Sequence, residues 1–116
     1  MTATPVERKR FDHPDETRPF LDKGRTDLVQ VGGQTFGLLT LEPGWVWSEH
    51  VGATLGTAVC REPHLRYVVS GRMAVTMEDG TEVDFAPGDL VSIPPGHDGR
   101  TLGDEPCVLL DLPRTR

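Results

Sequence analysis

The 116-residue chain reads as an all-β domain. Three observations carry that reading. Short apolar segments recur along the chain, each bounded by turn residues such as Gly, Pro and Asp. In the clearest segments the apolar residues alternate: Met73, Val75 and Met77 share one face, while Val83 and Phe85 stand opposite Glu82 and Asp84. No segment supplies the crossover helices that a parallel sheet requires. Many short strands with tight turns belong to an antiparallel sandwich or barrel.

The elements follow in order. Residues 1–17 are polar and without periodicity, and read as a mobile N-terminal arm ahead of a β-domain over 18–116. Asp27 to Val31 is the first segment, ended by Gly32-Gly33, and Thr35 to Leu41 the second, closed by Glu42-Pro43-Gly44. Trp45 to Val51 reads as a further strand, followed by the Gly-rich stretch 52–56 and by Thr57 to Cys60. His64 to Ser70 and Arg72 to Glu78 flank Gly71, and the Asp79-Gly80 pair favours a tight hairpin into Thr81 to Phe85. Leu90 to Ile93, a strand from Gly99 to Leu102 and Cys107 to Leu112 complete the set, separated by Pro94-Pro95-Gly96 and by residues 103–106.

Composition narrows the function. A chain of this length forms one domain and buries enough surface for a core without staples. A formal charge of −6 argues against nucleic acid or an anionic membrane as the main partner. No stretch approaches the roughly 18 apolar residues of a membrane span. The charged first twenty residues contain no signal-peptide h-region. With two cysteines, Cys60 and Cys107, and no such signal, the thiols suit a reducing, cytoplasmic setting better than a disulfide framework.

Several motifs point to one family. Gly88-Asp89-Leu90-Val91-Ser92-Ile93-Pro94-Pro95-Gly96 has a Gly, five residues and Pro-x-Gly, and the span from His64 to Gly71 matches the end of a companion motif. Together with the Tyr67-to-Arg72 run and the Glu78-Asp79-Gly80 hairpin, these make residues 36–112 resemble a cupin. More closely, the chain resembles short bacterial cupins of unassigned function. These share Glu42-Pro43-Gly44-Trp45, Trp47-Ser48-Glu49-His50-Val51 and Pro94-Pro95-Gly96-His97-Asp98. The resemblance implies a single-domain jelly-roll barrel, open at one end to a small organic ligand. It also implies a homodimer formed through sheet edges with exchange of N-terminal strands. The metal ligands of the family do not carry over intact. Ala58 and Cys60 occupy its two first-motif His positions, His64 its Glu position and Gly99 its second-motif His position. A second alignment puts His50 and Gly52 at the two His positions, and the usual three-His, one-carboxylate set survives in neither.

What remains is an unusual donor set. Cys60, His64 and His97, completed by His50 or solvent, are the candidate ligands of one divalent transition metal, Zn, Cu, Fe or Ni. Thiolate and imidazole suit Zn²⁺ or Cu better than Mg²⁺ or Ca²⁺. The competing reading makes Cys60 a small buried apolar residue and His97 a loop residue whose tautomer Asp98 sets. Cys107, in line with Val108, Leu110 and Leu112, reads as packing, and His13 as solvated. Trp45, Trp47, Tyr67 and Met73 are candidate pocket walls, equally at home in a core. In a regular strand Glu49 would point away from His50. Arg66 and Arg100 would hold a ligand carboxylate from the pocket rim or, the preferred reading, stand in solvent. Two functions follow: a metal-dependent enzyme of the dioxygenase, isomerase or lyase type, or a non-catalytic module that binds or senses a metal or small molecule. A third reading leaves the His and Cys residues purely structural.

Overall fold

Two Gly residues show how local chemistry builds the sheets. Gly32 and Gly33, with φ of 61° and 75°, form the two-residue turn that joins β2 (Gly24–Val31) to β3 (Gln34–Leu41). Positive φ at both central residues matches the turn to the twist of the paired strands. Gly71, at φ 73°, is the single residue between β4 (His64–Ser70) and β5 (Arg72–Met77), where the chain leaves one sheet for the other. A Cβ there would run into the Pro106 carbonyl oxygen, so only Gly turns this corner.

The computed structural model describes residues 5–113. Residues 1–4 and 114–116, the outer ends of the expected arm and β-domain, lie outside them. The remaining elements are β1 (Glu16–Pro19), α1 (Trp47–His50), α2 (Gly52–Leu55), β6 (Glu82–Phe85), β7 (Leu90–Ile93), β8 (His97–Leu102) and β9 (Cys107–Asp111). They form a six-stranded antiparallel sheet, β1-β2-β3-β9-β4-β7, and a three-stranded one, β6-β5-β8. Asp79-Gly80 lies in the β5–β6 connection, where the Asp79 carboxylate accepts the Thr81 N–H at 2.9 Å. Ahead of β1, the Asp15 N–H donates to the Leu28 carbonyl at 2.8 Å and the Asp15 carboxylate pairs with Lys9 at 2.9 Å. The core lies between the sheets, with Leu41, Val68, Met73, Cys107 and Leu109 its most buried large side chains. Cys107 is therefore packing, as expected.

The all-β jelly roll is present, but the sheets do not close into the expected barrel. The reason lies between residues 46 and 60. Trp45 to Val51, expected as a strand, turns helical at Trp47. The free edge of β8 meets only isolated bridges, Val46 with Arg100 and Cys60 with His97. The helical turn is explained by what it buries: Trp47 and Val51, four residues apart and hence on one helical face, both line the space between the sheets. The Asp98 carboxylate holds the turn to β8 by accepting the Ser48 N–H at 2.9 Å and the Ser48 hydroxyl at 2.8 Å.

Candidate metal and ligand site

Three chain segments meet at one end of the inter-sheet space. Cys60 sits in the loop before β4, His64 opens β4, and His97 opens β8 directly after the Pro94-Pro95-Gly96 turn. Backbone bonds fix the first and third against each other. The Cys60 N–H donates to the His97 carbonyl at 2.7 Å, and the Gly96 N–H donates to the Cys60 carbonyl at 2.7 Å. Cys60 Sγ lies 3.5 Å from His64 Nε2, and the His64 and His97 rings stand edge to face with centroids 5.1 Å apart. One donor atom from each of the three falls within 4.8 Å of the others. Around a tetrahedral ion with Zn–S and Zn–N bonds of the usual length, neighbouring donors stand about 3.5 Å apart. The Cys60–His64 spacing already has that value, and a small contraction would bring in His97.

The protonation states suit the same task. His97 Nδ1 is 2.7 Å from the Pro94 carbonyl oxygen. A carbonyl only accepts, so Nδ1 carries the proton and Nε2 keeps its lone pair. Burial pushes the His97 pKa down, which favours the neutral ring a metal needs. A ring nitrogen held by a carbonyl while its partner is left for coordination is the usual outer-shell arrangement of ligating histidines. Pro94, rather than Asp98, thus sets the tautomer. Burial pushes the Cys60 thiol pKa up. It would stay protonated until an ion displaced the proton.

The other expected residues divide. Trp45, Trp47 and Met73 line a cavity of about 120 Å³ that also contains Cys60, His64 and His97. Tyr67 does not line it: it follows Arg66 on β4, faces the opposite side of the sheet and is 40 % exposed. His50 is not among the clustered donors; its Nδ1 accepts the Val46 N–H at 2.9 Å within the helical turn. His13 is exposed. Arg100 forms a two-pronged pair with Glu82 at 3.0 and 2.9 Å, away from the cavity. Gly99, at the family's second-motif His position, lines the cavity, and a Cβ there would already lie 3.2 Å from the Met73 methyl and 3.6 Å from the Trp45 ring. Met73 and Trp45 occupy the volume that a larger side chain at 99 would need.

Arg66, preferred as a solvated charge in the sequence, lines the cavity instead. Its side chain is only 11 % exposed, and Nε donates to Asp111 Oδ1 at 3.1 Å. The signal was present in strand alternation, since Arg66 lies between His64 and Val68 on the inward face of β4.

Comparison with known proteins places the fold. The family model described as the cupin domain matches residues 60–113. Among curated proteins none matches the sequence. Among solved structures, the polyketide cyclase RemF from Streptomyces resistomycificus superposes with a TM-score of 0.66 at 16 % identity, over 92 % of this chain and 78 % of that one. A DUF1255 protein of unknown function from Acidithiobacillus ferrooxidans gives 0.64 at 21 %, over 86 % and 88 %. A variant of the oxalate decarboxylase of B. subtilis gives 0.62 at 21 %, over 95 % of this chain but 30 % of that one. At these identities the likeness is one of fold.

Proposed function

We propose that this chain, which belongs to the cupin superfamily, holds one divalent transition metal on Cys60, His64 and His97 and presents it to a small organic molecule in the adjoining cavity. The observation that carries this reading is the donor cluster itself, with its ring tautomer already set by Pro94. A thiolate and two imidazoles suit Zn or Cu, with Fe and Ni as further members of the class. Three protein donors leave a coordination position for solvent or ligand, and an ion so held supplies Lewis-acid chemistry. His50 is not needed for the set.

A dioxygenase, isomerase or lyase reaction is the catalytic form of this proposal. One observation favours the alternative, binding or sensing without turnover. No Asp or Glu lines the cavity among the described residues, so proton transfer there would fall to the imidazoles or to solvent. We read the working form as a homodimer, because Tyr67, Val69 and Leu90 leave exposed apolar surface on the six-stranded sheet. A reducing, cytoplasmic setting is supported by two cysteines that are both free thiols. No helix is long and apolar enough to cross a membrane among the described residues.

The test is elemental analysis of protein purified without a His-tag, repeated on His64→Ala. One transition-metal ion per chain, lost in the variant, is the expected result. Absence of stoichiometric metal, with Cys60→Ser as stable as the parent in excess zinc, would sink the proposal.

A further inference from the structure

Two polar groups in the cavity are left without a use by the metal. The first is the Trp45 indole. Trp45 is 3 % exposed and lines the cavity, and its Nε1–H is buried with no hydrogen-bond partner among the described residues. An orphaned buried donor is uncommon in folded proteins and asks for an acceptor. The second is the Arg66 guanidinium. Of its five N–H donors, the bond from Nε to Asp111 is the only one formed among the described residues. Asp111 is itself 37 % exposed, on the partner strand β9. A guanidinium this far withdrawn from bulk water gains from any acceptor that reaches its remaining donors. The rest of the wall is mostly apolar, with Leu39, Met73, Val75 and Ile93 prominent, and no carboxylate of the protein lines it among the described residues.

We propose that the cavity binds a small organic carboxylate, its anionic oxygens on the free edge of Arg66 and one acceptor oxygen on the Trp45 Nε1–H, with its hydrocarbon part against the apolar wall. Planar guanidinium and carboxylate groups pair through parallel N–H···O bonds, which a point charge does not reproduce. Size limits the class further. A cavity of about 150 Å³ takes a benzene-sized guest, so one of about 120 Å³ suits an acid of a few carbons. This inference rests on the proposed function for what stands beside the bound acid, namely the metal. Carboxylate recognition itself requires only Arg66 and Trp45.

The experiment compares butyrate with its uncharged isostere butyramide, at constant ionic strength, on zinc-loaded and on chelator-treated protein. Affinity is read by calorimetry, and the Trp45 indole N–H is followed by nitrogen-15 NMR. Butyrate is expected to bind saturably and about tenfold or more tightly than butyramide, the order expected of hydrogen bonds to a charged group. The Trp45 indole signal should move downfield as it gains an acceptor, while that of Trp47 moves less. Arg66→Lys should cost butyrate about tenfold while leaving butyramide nearly unchanged, and Trp45→Phe, which removes the indole N–H, should weaken both ligands. Equal binding of the two ligands, or saturation without an indole shift, overturns the inference. So does butyrate binding that needs zinc and is unaffected by Arg66→Lys, an outcome that leaves the metal proposal standing. Selective butyrate binding by protein that takes up no zinc supports the inference and overturns the metal proposal alone.

Discussion

The two ends of the inter-sheet space are built to opposite specifications, and each contains one cysteine. At the Gly71 end, Cys107 is fully buried beside Leu41, Val68 and Leu109, and burial pushes its thiol pKa up to about 11. At the other end, Cys60 is also buried, yet it borders a cavity that two imidazoles and a guanidinium also line. The same two strands serve both ends. Along β4 the inward residues pass from His64 and Arg66 to Val68, and along β9 from Cys107 and Leu109 to Asp111. The contrast separates two tasks. Well-packed apolar contacts at one end stabilise the sandwich, so the other can keep a cavity lined in part by polar side chains.

The sharpest way to break this comparison is to truncate the packed end. Leu109→Ala should cost about 2–5 kcal/mol in urea unfolding, because a fully buried Leu leaves a cavity that rigid neighbours fill only in part. A loss under about 1 kcal/mol would show that this end is not the stabilising one. Next in size is the effect of the ion at the other end. Zinc at about a hundredfold above its Kd should raise stability by about 2.7 kcal/mol, and Cys60→Ala should abolish that increment. Zinc stabilising the variant equally would place the ion elsewhere.

The thiols themselves give a third test. In folded, metal-free protein at pH 8, a maleimide should modify Cys60 only slowly, since the thiol is buried and its pKa raised, and zinc should slow it further. Cys107 should react only on unfolding. Because Cys107 has a higher pKa when folded than when unfolded, its contribution to stability is complete below the unfolded thiol range. It is lost as pH rises towards about 11. The urea midpoint should therefore fall through this alkaline window, and less steeply in Cys107→Ala. An identical slope would remove the thiol as the cause. The smallest effect belongs to neither end. Glu82 is held down to about 2 chiefly by Arg100 and then Thr76, yet the pair stands in solvent, so Glu82→Gln should leave the neutral-pH midpoint unchanged.

Much of the scaffold was legible in the sequence for definite physical reasons. Alternation at Met73, Val75 and Met77 and the Asp79-Gly80 turn identify β5 and its hairpin because both signals are local. Trp45 to Val51 was misread because seven residues cannot separate two periods. Trp45 and Trp47 fit a strand, whereas Trp47 and Val51 fit a helical face, and contact with the neighbouring sheets decides. Cys60, His64 and His97 were selected by residue type and motif position, but their approach depends on a backbone bridge between residues 60 and 97. The same alternation rule that puts Arg66 inside puts Tyr67 outside. It was outweighed by the general tendency of arginine to stand in water. The Trp45 donor, without a partner among the described residues, had no sequence signal, since that is a property of its surroundings.

The place of β9 bears on how the molecule is made. β9 comes later in the chain than every other strand described, yet it lies between β3 and β4 in the middle of the larger sheet. During synthesis β2 and β3 can pair as a hairpin, and β5 with β6, while the ribosome is still adding residues. β4 can join β3 only after residues 107–111 have emerged to bridge them. Loop closure over such separations makes folding slow. It also leaves the strand edges of β3 and β4 open to wrong partners until the end. Cys60, His64 and His97 precede that closing strand, so a nascent chain displays the three proposed metal ligands before the sheet that should support them is complete.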